Sequence, residues 1–221
     1  MPRRLRPTAE FHADAILVGD PGRAMALAQA LLEQPKMSNH ARGLWGYSGR
    51  TPAGDGLTVQ STGMGGPSAA LVLADLAELG VERGLRVGTC AAIDPALRPG
   101  DLVTVREARP WSVDGRGAGP RAVPDPELTA RLRSALGEAT RLGTVASLDV
   151  LHPTAGHATP EGDVADMQTA ALFAAGARLG IRLAAVLVVT EAAGADPLAD
   201  EALAERAAAA AHAAAFALLA A

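Results

Sequence analysis

The sequence predicts an α/β protein: a single domain spanning residues 1–221, built as a central mixed β-sheet with helices on both faces. Three observations lead there. Apolar runs of strand length alternate with helix-length segments rich in alanine and leucine, the order expected of a sheet covered on both sides. A chain of 221 residues, 49% hydrophobic and 20% charged, is large enough to bury a substantial core and too apolar to stay unfolded. Three strand candidates run directly into small glycine-containing turns, and open α/β sheets place their ligands at the carboxyl ends of strands.

The elements follow in order along the chain. Asp14–Gly19 (DAILVG) reads as a buried strand closed by a glycine turn, and Asp20-Pro21-Gly22-Arg23 then opens a helix reaching about Glu33. From His40 to Thr62, turn residues punctuate short β-like runs, GLWGYSGRT and GLTVQST. The loop Gly63–Ser68 opens a helix, ALVLADLAEL, that Gly80 ends, because glycine enters the left-handed conformation of a helix terminus freely. Leu85–Gly88 is a short strand running into Thr89–Ala92, and Asp101–Glu107 is another. Arg109–Pro124, rich in glycine and proline, reads as a long loop. Asp125-Pro126-Glu127 combines a cap, a first-turn proline and a first-turn acid, a strong helix start. Thr144–Asp149 reads as a strand, Asp163–Gly180 as a helix, Leu183–Thr190 (LAAVLVVT) as a buried strand, and Pro197–Ala221 as an alanine-rich final helix.

Composition narrows the function. The formal net charge of −4 argues against nucleic acid as a partner. A single cysteine, Cys90, allows no internal disulfide; with no apolar stretch after the basic start MPRRLRPTAEFHAD and no run long enough to span a bilayer, the expectation is a cytoplasmic protein with no membrane contact. His152 and His157 lack metal-ligand spacing, so no metal is expected.

The chemistry gathers at VGDPGR (18–23), STGMGGPS (61–68) and RVGTCAAI (86–93). Glycine lets backbone N–H groups approach an anion, and arginine offers a planar fork that matches phosphate oxygens. Arg23, Arg86 and the Thr89 hydroxyl would together make an oxyanion cradle. Neither a Walker loop nor a dinucleotide-binding glycine loop is present. Spacing alone leaves ordinary turns with surface arginines as the alternative.

Six segments taken in order resemble one family: GDPGR, HARGLWGYSG, STGMGGPS, RVGTCAAI, ADMQTAALFAAGARLG and LVVTE. They are similar to the nucleoside phosphorylases, the family of bacterial purine nucleoside phosphorylase, uridine phosphorylase and methylthioadenosine phosphorylase. The resemblance implies phosphorolysis of a nucleoside to free base and ribose 1-phosphate, with inorganic phosphate as co-substrate and no cofactor. It implies that Gly19, Arg23, Arg86 and Thr89 bind phosphate. It implies that Arg42 crosses into a neighbouring subunit's site, so that the active unit is a homodimer, usually assembled into a hexamer. Met167 would pack against the ribose. Glu191 stands where purine-cleaving members place an acid that protonates or hydrogen-bonds the base. General acid help of that kind is typically worth ~10²–10⁴ in rate.

The sequence departs from the family on the nucleoside side. The family's two-acid motif reads Asp166-Met167-Gln168. The resemblance implies that the residue at Gln168 bonds the ribose hydroxyls; a neutral amide there gives up a charged acceptor worth ~1–3 kcal/mol. Asp166 stands near as a substitute acid, off the matching position. Leu151 takes the place of the aromatic that stacks on the base, and His152 beside it is the stand-in. The histidine that would reach a neighbour's ribose has only Arg6 and His12 as near matches. The expected activity is therefore nucleoside phosphorolysis leaning to purines. Uridine phosphorolysis is the alternative within the class, and a catalytically impaired nucleoside- or phosphate-binding homologue is the alternative outside it. Among other residues, Asp20 and Ser68 read as helix-start groups, Cys90 as a buried thiol, and Trp45 and Trp111 as packing residues.

Overall fold

The computed structural model describes residues 4–112, 120–137, 140–150 and 160–220. Among the described residues nine strands form one mixed sheet: β1 (Asp14–Val18), β2 (Glu33–Asn39), β3 (Gly46–Arg50), β4 (Gly56–Ser61), β5 (Arg83–Ala92), β6 (Leu102–Trp111), β7 (Thr140–Leu148), β8 (Val164–Asp166) and β9 (Arg182–Glu191). Five α-helices accompany them: α1 (Pro21–Leu31), α2 (Gly65–Glu78), α3 (Pro126–Leu136), α4 (Thr169–Leu179) and α5 (Asp200–Leu219).

The strand order is β2-β3-β4-β1-β5-β8-β7-β6-β9, and β9 pairs back onto β5. The second half of the sheet thus closes into a ring of five strands, β5-β8-β7-β6-β9. Strand β5 is the hinge of this design. It runs parallel to β1, with Asp14 opposite Arg83, and parallel to β9 from Arg83↔Arg182 onward. It meets β8 antiparallel at Ala91 and Ala92. Because β1, β4, β5 and β9 all run the same way, their carboxyl ends open on one side of the sheet.

Local chemistry sets the helix boundaries. Asp20 caps α1 by accepting from the Arg23 N–H at 2.7 Å, with Pro21 in the first turn. Asp125 caps α3 in the same way through Leu128 N–H at 2.8 Å, with Pro126 following. Each such cap is typically worth ~1 kcal/mol. Gly180 ends α4 in the left-handed conformation that suits glycine.

The core lies in two layers. On one side α2 and α4 bury Leu73, Leu76, Leu172 and Phe173 against Leu17, Val103 and Leu187. On the other, α1, α3 and α5 bury Leu27, Leu128, Leu132 and Leu218 against Ile16, Leu85 and Val186. Each large side chain so sealed contributes about 1.5–3 kcal/mol by leaving water. Helix α5 is apolar and long enough to cross a membrane by those measures alone. It packs Ala207, Ala210, Ala211, Ala214 and Leu218 into the second layer instead. Trp45 and Trp111 are half-buried packing residues, as expected.

Four expectations are corrected. Residues 33–39 form β2, and the helix expected to reach about Glu33 ends at Leu31. The segment expected as one helix from Asp163 begins instead with the short strand β8, and α4 starts at Thr169. Strand β6 extends through Trp111 and is bridged at Ala108 by Ala122, so the expected long loop is shorter at both ends. Ser68 does not cap α2; its hydroxyl donates to the Thr62 carbonyl at 2.7 Å.

Candidate functional site

At the open carboxyl ends of β1, β4, β5 and β9 lies a cavity of about 360 Å³, within the usual range for a small-molecule site. Gly19, Arg23, Arg86, Thr89, Asp166, Met167, Gln168 and Glu191 all line it. Residues from positions 19 to 191 thus meet in one place. Arg42 does not line it: that side chain is exposed on a short 3-10 turn, Ala41–Gly43, at φ 60°. A non-glycine residue in that left-handed conformation is uncommon and costs backbone strain. Leu151, His152 and His157 lie outside the described residues.

Arg86 comes from the middle of β5, and its side chain folds back over Gly88. A Cβ on Gly88 would sit 2.7 Å from the Arg86 guanidinium carbon, so the glycine of RVGT makes room for the arginine two residues earlier. The guanidinium is almost sealed. Its Nη2 donates to Asp166 at 3.1 Å, its Nη1 to the Gln168 amide oxygen at 2.6 Å, and its Nε to the Thr169 hydroxyl at 3.1 Å.

Asp166 is fully engaged. Ser147 Oγ donates to it at 2.6 Å, Thr169 Oγ1 at 2.6 Å and the Thr169 N–H at 3.0 Å. It therefore acts as a buried counter-ion and helix-start acceptor, with each oxygen satisfied. Ser147 and Thr169, which hold it, carry no motif that would mark them in the sequence.

Arg23 is different. It is half-buried, and its guanidinium makes no hydrogen bond or ion pair with the described residues. Burial holds it below its ordinary pKa; Asp20 opposes the shift, and the like charge of Arg86 adds to it. Two arginines face one cavity, and only Arg86 has an ion pair among the described residues.

The glycine turn after β4 forms another wall. Gly63 has φ 71°, and a Cβ there would lie 2.6 Å from Ser68 Oγ; both facts demand glycine. The Gln168 amide nitrogen donates to the Gly63 carbonyl at 2.5 Å and faces the Gly65 carbonyl at 3.5 Å.

Glu191 ends β9 beside a register shift, with Val189 opposite Cys90 and Glu191 opposite Ala91. Thr190 is the extra residue, and its hydroxyl donates to the Cys90 carbonyl at 3.2 Å. Bulges of this kind re-aim side chains next to functional sites. Glu191 is exposed and has no side-chain partner among the described residues. Cys90 is buried, and burial, reinforced by the nearby Asp166 charge and opposed by Arg86, pushes its thiol pKa far up. It is a packed thiol and not a nucleophile. Among the described residues no three His, Cys, Asp or Glu side chains converge as a metal site would need.

Fold and site together define an α/β protein with an arginine-lined pocket at the carboxyl ends of parallel strands. A family model described as "Phosphorylase superfamily" matches residues 14–221, and the chain belongs to that family. It is 34% identical over 201 residues to the DeoD-type purine nucleoside phosphorylase of Geobacillus kaustophilus, covering 83% of each chain. It is 33% identical over 196 residues to that of Geobacillus sp. (strain WCH70), covering 81% of each, and 30% identical over 195 residues to that of Bacillus thuringiensis.

Proposed function

We propose that this protein is a purine nucleoside phosphorylase, which cleaves a purine ribonucleoside with inorganic phosphate to give free base and ribose 1-phosphate. The observation that carries this is the half-buried Arg23, its guanidinium without a hydrogen bond or ion pair among the described residues, sharing one cavity with Arg86, Thr89, Met167 and Glu191. The similarity to DeoD-type purine nucleoside phosphorylases supports the purine over the uracil alternative.

In this reading Gly19, Arg23, Arg86 and Thr89 hold the phosphate, and Met167 packs against the sugar. A phosphate oxygen forms the new bond to C1′ as the bond from C1′ to the base nitrogen breaks. The bonding pair leaves with the purine, which takes a proton from the Glu191 carboxyl. The proton that phosphate gives up on becoming an ester restores that acid. Glu191 is exposed in the single chain, so the desolvation a general acid needs comes from the bound purine and a second subunit.

Arg42 faces away from its own cavity on a strained turn, which supports its delivery into a partner's site in a homodimer or a larger ring such as a hexamer. The single, buried thiol of Cys90 fits a reducing cytoplasm.

The test is base release from inosine, guanosine, adenosine, methylthioadenosine and uridine, each with and without phosphate. Phosphate-dependent cleavage of a purine nucleoside is expected, with Glu191→Ala slowing turnover by about 10²-fold or more. Cleavage without phosphate would refute phosphorolysis. Phosphate binding without any turnover would point to a binding protein.

A further inference from the structure

We infer that Gln168 is a positioning residue whose amide clamps the Gly63–Gly65 turn to Arg86, setting the affinity for the anion, and that it does not act as a ligand of the sugar. The inference rests on the proposed role of Arg86 in holding phosphate.

The clamp follows from the hydrogen-bonding inventory of an amide, which carries donors and an acceptor on one rigid plane. The Gln168 side chain is 4% exposed. Its nitrogen donates to Gly63 O at 2.5 Å and faces Gly65 O at 3.5 Å. Its oxygen accepts from Arg86 Nη1 at 2.6 Å and lies 3.2 Å from the Thr62 hydroxyl. Turning the amide over would put nitrogen against a guanidinium and oxygen against a carbonyl, so only one orientation is consistent with these neighbours. In that orientation the polar atoms are committed to the protein, and little capacity remains for a sugar hydroxyl.

A carboxylate could not take this place unchanged. It has no proton for the Gly63 carbonyl. It would also bring a second negative charge to Arg86, which Asp166 already balances at 3.1 Å. Two carboxylates around one guanidinium weaken its pull on phosphate. The neutral amide holds the turn and leaves the Arg86–Asp166 pair balanced, with Arg23 the cavity's arginine that has no ion pair among the described residues. Gly63, at φ 71°, holds a left-handed conformation that glycine adopts freely at the point where the clamp attaches.

The test compares the wild-type protein with Gln168→Glu and with Gln168→Met, which keeps the shape but removes the amide's hydrogen bonds. Phosphate binding is measured by titration calorimetry, the two KM values are measured separately, and thermal melting verifies folding. Gln168→Glu is expected to weaken phosphate binding about tenfold or more, and Gln168→Met by roughly threefold to tenfold, since hydrogen bonds to charged groups are lost. The nucleoside KM is expected to stay near the wild-type value in both. Unchanged phosphate affinity in both variants, or a Gln168→Glu variant with lower nucleoside KM and faster turnover, overturns the inference and makes the position a sugar ligand. A wild-type protein that binds no phosphate overturns the proposed function, and this inference with it. Phosphate affinity is read without turnover, so the two failures are separable.

Discussion

Arg86 and Asp166 stand 80 positions apart in the chain and meet at 3.1 Å, each almost closed to solvent. Removing one partner of such a pair leaves the other buried and uncompensated. Asp166→Ala is therefore expected to cost ~3–5 kcal/mol in urea unfolding. Saturating phosphate should recover more stability in the variant than in the wild type, because the anion replaces the lost negative charge. A cost below about 1 kcal/mol, the scale of an exposed ion pair, would mean that Arg86 is solvated.

Arg23 lies on the opposite side of this balance. Its guanidinium is half-buried without a partner, and burial depresses its pKa. Arg23→Gln should weaken phosphate binding about tenfold or more while leaving the melting temperature unchanged or slightly raised. A variant that loses stability and binds phosphate normally would assign Arg23 to the fold.

If Arg42 acts across a subunit boundary, inactive variants should complement one another. Arg23→Gln and Arg42→Ala chains, dissociated and reassembled together, would form hybrids in which one site keeps both native arginines. Activity should rise toward about a quarter of the wild-type level, the statistical expectation for random pairing in a two-fold dimer. No recovery in verified hybrids would show that Arg42 serves its own chain or none.

Cys90 offers a test of cavity burial. Burial, then the Asp166 charge, hold its thiol protonated well above neutral pH. The native protein should react with a disulfide reagent at pH 8 at least about 10²-fold more slowly than the unfolded chain. Fast native labelling would show that this wall of the cavity opens.

Glu107 ties Arg121 to β6. It binds Arg109 at 2.6 Å and pairs with Arg121, two residues whose neighbours Ala108 and Ala122 bridge. Burial pushes its carboxyl pKa up, but the hydrogen bonds from Arg109 and Arg121 outweigh that and leave it below the usual range. The unfolded chain then binds the proton more readily than the folded one. The clamp's contribution is complete above the ordinary carboxylate range near pH ~4.3 and fades as pH falls through the lower folded value. Glu107→Gln should remove this part of the acid dependence of unfolding, seen as a flatter stability profile below about pH 4.

The motif residues were legible because the sheet collects strand ends. GDPGR, STGMGGPS, RVGT and LVVTE follow or end strands that run the same way, so knowing the strands places the residues together. Strand β8 was hidden because three residues, VAD, precede an alanine-rich helix whose propensity dominates any local window. Strand β2 was hidden for the opposite reason: EQPKMSN lacks the apolar alternation that marks a strand and forms only because β3 offers its hydrogen bonds. Thr169 meets Asp166 locally, three residues on at the start of α4, but nothing local shows that Ser147 converges on Asp166, or that the Gln168 amide reaches back to Gly63. The first depends on the β7–β8 register, which sets Ser147 opposite Asp166, and the second joins residues 105 positions apart.

The closure of β9 onto β5 has a consequence for how copies of this protein meet. A sheet that returns on itself leaves fewer unpaired backbone groups exposed at its margin, and here the free margin is β2. That strand is a poor template for an incoming chain. Pro35 has no N–H to offer, Lys36 carries charge, and two register shifts interrupt its ladder. Among the described strands, then, strand-by-strand growth into fibres is disfavoured, and a neighbouring molecule would meet side-chain surfaces, such as the exposed turn that carries Arg42, in place of open backbone.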